Sequence, residues 1–233
     1  METSGIADAI GDSKLADRKA TEVSQIKIPQ HGARSMSLAD AMHPHNVLCD
    51  EMKGAARPQP HGFPLRLIAP GWYGIADVEW LKRIEIRGTR FMGRVMARDY
   101  VTILEETQNG DTVWTATSVG WALLTSVPAK GTRKDGQYRI IGAAWGASMA
   151  RVEVQSDGGP WMAAPMARHE EAAFAWKLWS LEWVNATPGE PTITVCTSDT
   201  QRQVQPAKED PRIAKKHMYW ESNGHVTRRL RRA

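Results

Sequence analysis

His61-Gly62-Phe63-Pro64-Leu65-Arg66-Leu67-Ile68-Ala69-Pro70-Gly71-Trp72-Tyr73-Gly74 is the stretch on which the reading of this chain turns. Its centre, Leu65 to Ile68, is a short apolar strand carrying one cation, entered through a stiff Phe-Pro pair and left through Pro70-Gly71. Gly71 and Gly74 bracket Trp72-Tyr73 and permit a tight backbone path. Ile75 to Leu81 then reads as a single helical turn. An arginine on a buried strand needs an acid or an anion beside it. Amides at a following helix start favour negative charge in the same place. The residues alone leave two readings equally open: an anion site, or an internal pair between Arg66 and a carboxylate.

Upstream, residues 1 to about 33 are polar and lack apolar periodicity, so they read as a poorly ordered arm. Ser35 or Ser37 caps a short helix through Met42, which Pro44 stops. Val47 to Met52 reads as a strand turning at Lys53-Gly54. Downstream, Arg83-Ile84-Glu85-Ile86-Arg87 alternates and predicts a half-buried strand. Tyr100 to Leu124 holds strands around the turn Gln108-Asn109-Gly110-Asp111. Ala129 to Gly136 reads as a loop at a domain junction. Short strands follow at 138–144, 151–155, 192–197 and 226–230. Between them Trp179, Leu181 and Trp183 face away from Phe174, Trp176 and Leu178. This spacing of short strands predicts a β-sandwich.

The bulk numbers are compatible with two folded parts. The chain has 233 residues, 42% of them hydrophobic and ten of them Trp, enough apolar area for packed cores. A net charge of +4 suits an anionic ligand but is too small to argue for nucleic acid. Arg228, Arg229, Arg231 and Arg232 read as a solvated tail or the outer face of a last strand. The two cysteines, Cys49 and Cys196, sit in apolar stretches and read as buried free thiols. His43-Pro44-His45 offers too few ligands for a zinc site, so no metal ligand is assigned. No hydrolase triad, P-loop or dinucleotide motif appears. The first thirty residues have no apolar signal core, and no run is long enough to cross a bilayer. The expectation is a cytoplasmic protein with no membrane contact, or a periplasmic one if an export signal is missing upstream.

Read in order, a set of motifs resembles the sulfite oxidase family of molybdopterin-dependent oxidoreductases. They are Arg34-Ser35-Met36-Ser37-Leu38, Cys49-Asp50-Glu51-Met52-Lys53-Gly54, the His61–Gly74 block, Trp80-Leu81, Arg98-Asp99-Tyr100, Gly142-Ala143-Ala144-Trp145, Arg151-Val152-Glu153-Val154, Phe174-Ala175-Trp176, Val204-Gln205-Pro206 and Tyr219-Trp220-Glu221-Ser222-Asn223-Gly224. The resemblance runs from about residue 34 to the end. It implies an α+β fold: a partial molybdopterin domain over 34–125, then an immunoglobulin-like dimerisation sandwich over 126–233. It implies a molybdenum–molybdopterin cofactor, contacted by His61 and Arg66 and by the stretch Asp77-Val78-Glu79. It places Tyr100 as the catalytic residue at the metal's oxo and substrate face. The implied chemistry is oxygen-atom transfer to sulfite or a related small anion, with a separate electron acceptor and a homodimer formed through the sandwich.

The departures from the pattern are as informative. The family's molybdenum is ligated by a cysteine from an earlier half of the cofactor domain, and nothing here corresponds. The expectation is a truncated oxidoreductase that does not turn over as a lone chain. The alternative is a non-catalytic dimerisation or partner-subunit module derived from such an enzyme. Glu79 stands where the family commonly has lysine; at about 4 Å this reversal costs about 1 to 4 kcal/mol per unit of phosphate charge, depending on screening. Asn223 stands where a substrate-binding arginine is expected. Lys53 replaces the asparagine of an Asn-Gly turn, which predicts a weakened hairpin.

Overall fold

Turn residues set the strand boundaries. Lys53-Gly54 has φ of 56° and 76°, and Asn109-Gly110 has 54° and 89°. Both are left-handed at two successive residues, the backbone of a two-residue hairpin whose twist matches its strands. The first hairpin therefore forms with lysine in the position that favours asparagine. The computed structural model describes residues 6–12, 31–134, 137–146, 148–167, 173–183, 190–217 and 221–230, the side chains of 6–12, His31 and Lys134 excepted. It separates into two compact units. One comprises residues 1–101 with 116–120, and the other 102–115 with 121–233.

In the first unit an antiparallel sheet runs β2-β1-β7, with β1 (Ile6–Asp12) between β2 (His31–Ser37) and β7 (Leu81–Arg87). Residues 6–12, inside the segment read as an arm, thus form a middle strand, paired on both sides. Polar composition hid it, because the alternation in Ile6 to Asp12 is short and interrupted by glycine and alanine. The helix α1 (Leu38–Ala41) is capped by Ser37, whose Oγ accepts from Asp40 N at 3.0 Å. Strands β3 (Val47–Cys49) and β6 (Arg66–Ile68) pair so that Cys49 lies opposite Arg66. Strands β4 (Glu51–Met52) and β5 (Ala55–Ala56) make the Lys53-Gly54 hairpin. On β7 the alternation does not predict burial: Ile84 and Ile86 are 51% and 74% exposed. Arg34 and Met36, across the sheet on the same face, are buried, so that face is exposed at the β7 edge and covered at β2.

Strands β8 (Val101–Gln108) and β9 (Asp111–Ser118) form the second hairpin. The rest of the second unit is two antiparallel sheets. One has the order β10-β11-β14, from β10 (Thr125–Lys134), β11 (Gln137–Trp145) and β14 (Lys177–Trp183). The other has the order β13-β12-β15-β16, from β12 (Met149–Ser156), β13 (Met162–Ala164), β15 (Thr192–Asp199) and β16 (Val226–Arg229). Ile140, Ala144, Trp179, Leu181 and Trp183 of the first sheet share one core with Val152, Val154, Ala164, Ile193 and Val195 of the second. Of the two faces that the alternation separates, that of Trp179, Leu181 and Trp183 is the buried one. Trp176 and Leu178 face out.

Small residues make room for the tryptophan at the centre. A Cβ on Gly142 would collide with the Trp179 indole and with Val127 O. The buried indole N–H donates to Ser126 Oγ at 2.9 Å, and Ser126 Oγ donates to Ala143 O at 3.2 Å. Buried Gln205 accepts from Ser126 N and donates to Gly224 O, each at 3.0 Å. This interior polar network is satisfied, as burial requires.

Two expectations are corrected. Residues 129–134 are not a junction loop but the outer half of β10, paired with β11 past a bulge at Pro128/Lys130. Lys130 and Gly131 pair with Ile141 and Ile140, so pairing with an apolar strand overrides loop-like composition. The α+β label also fails. The α-helices among the described residues are α1 and α2 (Pro211–Ala214), four residues each, and the rest of the regular structure is chiefly strand. The label came from the resemblance, and this chain's part of that architecture is built from strands and tight turns.

Candidate active site

The loop after the glycine-rich bend is tied down at four points. Val78 O accepts from Leu67 N at 2.9 Å, and Leu81 N donates to Leu65 O at 2.8 Å. Asp77 Oδ1 accepts from Ala69 N at 2.8 Å, and the Trp80 indole donates to Gln59 O at 3.2 Å. These ties hold Trp80 at φ 50°, a conformation that bulky residues rarely adopt. The His61-Gly62 turn lies directly on this loop. Gly62 has φ 96°, and a Cβ there would sit 3.2 Å from Glu79 Cβ. Glycine suits that position for its left-handed backbone angle, and a side chain there would press on Glu79.

His61, Arg66, Asp77, Val78 and Glu79 are thereby gathered in one place. Val78 is buried and contributes its carbonyl. The His61 imidazole is exposed, and its carbonyl accepts from Arg57 Nη1 at 3.1 Å. Arg66 Nη1 lies 2.8 Å from Glu79 Oε1, and Nη2 lies 3.8 Å from Asp77 Oδ2. Of the two readings the sequence left open, the internal carboxylate pair is the one that forms. Two carboxylates face one guanidinium, so the trio carries one negative charge in excess. Burial pushes the Asp77 carboxyl above its ordinary range, opposed by the Ala69 N–H and by Arg66 and reinforced by Glu79.

The Nε donor of Arg66 is placed differently. Its Nε–H is buried with no acceptor. Native interiors rarely leave such a group, and an unmet donor on a cation suits an anionic oxygen. The residues fit a phosphate-bearing pterin on this observation: Arg66 Nε as donor, His61 exposed next to Gly62, and the backbone of 77–79 held in a fixed path.

Tyr100 is not part of this group. It follows the widened turn Val95–Asp99, and its carbonyl accepts from Val119 N at 3.1 Å. What joins it to the rest is Arg34, which the sequence marked as part of a motif but not as a site residue. The Arg34 guanidinium lies over the Tyr100 ring, 5.1 Å from its centroid. Its Nε donates to Ile75 O at 2.8 Å, two residues before Asp77, and its Nη1 contacts Met96 Sδ at 3.3 Å. Arg34 is 8% exposed. Burial lowers its pKa to about 10, partly offset by Tyr100 and Asp99. A cation held inside the fold beside a tyrosine is an electrostatic feature of the kind active sites carry.

Arg57 was also missed. It is buried, donates to Cys49 O at 3.3 Å and makes a close contact with Cys49 Sγ. A buried arginine in a Pro-rich loop leaves no periodic trace in sequence. Cys196 lies in β15, and burial pushes its thiol up to about 11. Asn223, at the position of the expected substrate arginine, is buried; it donates to Leu124 O at 3.2 Å and accepts from Lys216 Nζ at 3.4 Å. Tyr219 and Trp220 of that motif lie outside the described residues. Among the described residues no group of three or more His, Cys, Asp or Glu stands close enough to hold a metal ion. No described helix is long and apolar enough to cross a membrane.

Comparison with known proteins gives consistent results. Residues 14–95 match the family model of the oxidoreductase molybdopterin binding domain. The chain is 33% identical over 187 residues to human mitochondrial sulfite oxidase, a match covering 74% of this chain and 34% of that protein. It is 28% identical over 174 residues to the sulfite oxidase of Arabidopsis thaliana, covering 68% and 44%. The chain thus spans about a third of the length of the mammalian relatives it matches. The sulfane dehydrogenase SoxCD from Paracoccus pantotrophus shares the fold, with a TM-score of 0.74 at 22% identity over 97% of this chain and 54% of that one.

Proposed function

We propose that this chain, which belongs to the sulfite-oxidase-type molybdopterin oxidoreductase family, supplies the pterin-facing side of a site for oxygen-atom transfer to sulfite or a related small anion. The observation that carries the reading is the gathering of His61, Arg66 and Asp77–Glu79 on a tied loop with one buried arginine donor unmet. When bound, the molybdenum–molybdopterin group supplies the two-electron redox chemistry, and the protein supplies binding and orientation. Arg66 and His61, with the 77–79 backbone, hold the cofactor's phosphate end. The Tyr100 hydroxyl donates to the anionic substrate, and Arg34 fixes the ring and adds positive charge behind it. Neither cysteine is assigned as the metal's thiolate: Cys49 Sγ donates to Glu51 O at 2.9 Å, and Cys196 is buried in β15. A separate electron acceptor completes the cycle.

Residues 34–125 are read as the partial cofactor domain and 126–233 as an immunoglobulin-like sandwich through which two copies associate. The test is to purify the tagged chain from a cofactor-competent host, with whatever polypeptide accompanies it, and to measure sulfite-dependent dye reduction. Tyr100→Phe is expected to lower the rate about 100-fold, the usual effect of deleting one transition-state donor. A rate untouched by Tyr100→Phe, or no rate with molybdenum present, contradicts the reading.

A second reading, a non-catalytic dimerisation or partner module, is favoured by one observation. The outer side of β14 and the neighbouring end of β11 present a stacked Trp145–Trp176 pair, centroids 4.9 Å apart, next to half-exposed Leu178. Concentration-dependent sedimentation that loses its dimer on Trp176→Ser, with no cofactor bound, supports this reading; a monomer at micromolar concentration counts against it.

A further inference from the structure

We infer that Glu79 is the specificity-determining residue of the Arg66 site: its carboxylate occupies the place of a ligand anion, and a phosphate or diphosphate group is admitted only when that side chain leaves Arg66. The inference rests on the assignment of Arg66 to an anionic ligand made above, and it adds a control that the assignment does not contain.

The backbone around the site cannot provide the opening. The loop is fixed at Asp77, Val78, Trp80 and Leu81 by hydrogen bonds to Ala69, Leu67, Gln59 and Leu65. Glu79 Cα is pressed against Gly62, where an added Cβ would lie at 3.3 Å. The main chain of residue 79 is therefore held from both sides. What remains free to rotate is the Glu79 side chain beyond Cβ, which is about one-third exposed and has water to move into.

The charge arrangement makes that rotation consequential. With Glu79 on Nη1 and Asp77 near Nη2, an approaching phosphate meets an excess negative charge. Asp77 is anchored by the Ala69 amide and stays. With Glu79 turned outward, Arg66 Nη1 is released to a ligand, while the Nε–H without an acceptor points to the Nη2 side of the guanidinium. A phosphate oxygen then takes the charge-assisted hydrogen bond that Nη1 had given the carboxylate. The carboxylate acts as an internal competitor, displaced by a ligand carrying more negative charge than itself. Small monoanions gain little there, and diphosphate gains most.

The test is titration of inorganic pyrophosphate into the purified full chain, followed by calorimetry and by phosphorus NMR linewidth. It needs no molybdenum, so its outcome is separate from that of the oxidoreductase assay. Glu79→Gln, which keeps shape and removes the competing charge, is expected to bind at least ten times more tightly than the unsubstituted chain. Glu79→Asp, too short to reach Nη1 from the same backbone, is expected to fall between them and serves where the glutamine variant is insoluble. The gain should vanish in the Arg66→Met, Glu79→Gln double variant. Equal affinities in the unsubstituted chain and both Glu79 variants, or a gain that survives loss of Arg66, overturns the inference.

Discussion

Replacing Ser126 by alanine removes one oxygen from the middle of the sandwich and tests whether its polar network stabilises the fold. Ser126 Oγ is the acceptor for the Trp179 indole N–H and donates in turn to Ala143 O. Both side chains are almost fully buried, so water cannot replace the lost partner. An orphaned buried donor costs about 1–3 kcal/mol, and the lost second bond adds about 1 kcal/mol at most. A net loss of about 2–3 kcal/mol is expected, a fall in Tm of about 4–12 °C for a chain of this size. Urea unfolding followed by tryptophan fluorescence measures it. Thr194→Val is the control, because it deletes a hydroxyl paired with Thr227 at 2.8 Å on an exposed face and should change stability by less than about 0.5 kcal/mol. In a Trp179→Phe background no indole is left to orphan, and most of the Ser126→Ala cost should disappear. A Ser126→Ala loss no larger than that of Thr194→Val, or one unchanged by Trp179→Phe, refutes the reasoning.

Gly142→Ala places a methyl group into the Trp179 indole and Val127 O and should destabilise by about 1–3 kcal/mol, or prevent folding, in the same urea assay. In a thiol titration with a disulfide dye, Cys49 should react in the folded protein. Cys196, buried with its pKa near 11, should react only after unfolding. Asp77 has a folded-state pKa raised mainly by burial, so its contribution to stability is largest below the ordinary carboxylate range and is lost as pH rises through the raised value. Asp77→Asn should flatten that part of the stability curve, with the variant gaining on the unsubstituted chain as pH rises across it.

The parts of the fold that sequence revealed are those where local chemistry and tertiary structure agree. Ser37 caps α1, Asn109-Gly110 turns the second hairpin, and Trp179, Leu181 and Trp183 share a face opposite Trp176 and Leu178, because each signal depends on a few neighbouring residues. The failures occur where partners decide. Strand β1 has little pattern of its own and exists through pairing on both sides. The outer half of β10 has the composition of a loop and is held extended by β11. On β7 the alternation is clean, yet burial depends on a cover that no described residue supplies. The site divides in the same way. The sequence located Arg66 and stated its need for a counter-charge. It did not show that Glu79 and Asp77 would meet that need, since a residue thirteen positions away becomes a neighbour only through the tied loop. Arg34 and Arg57 escaped because a buried arginine held by carbonyl groups has no sequence periodicity to betray it.

Molybdenum and phosphorus content per chain, measured by elemental analysis on protein from a cofactor-competent host and compared with Arg66→Met, tests the central claim most directly. A sub-stoichiometric to stoichiometric load of both elements is expected in the unsubstituted preparation, and its loss in Arg66→Met at unchanged folding. Background levels in both proteins, or a load indifferent to Arg66, would contradict it.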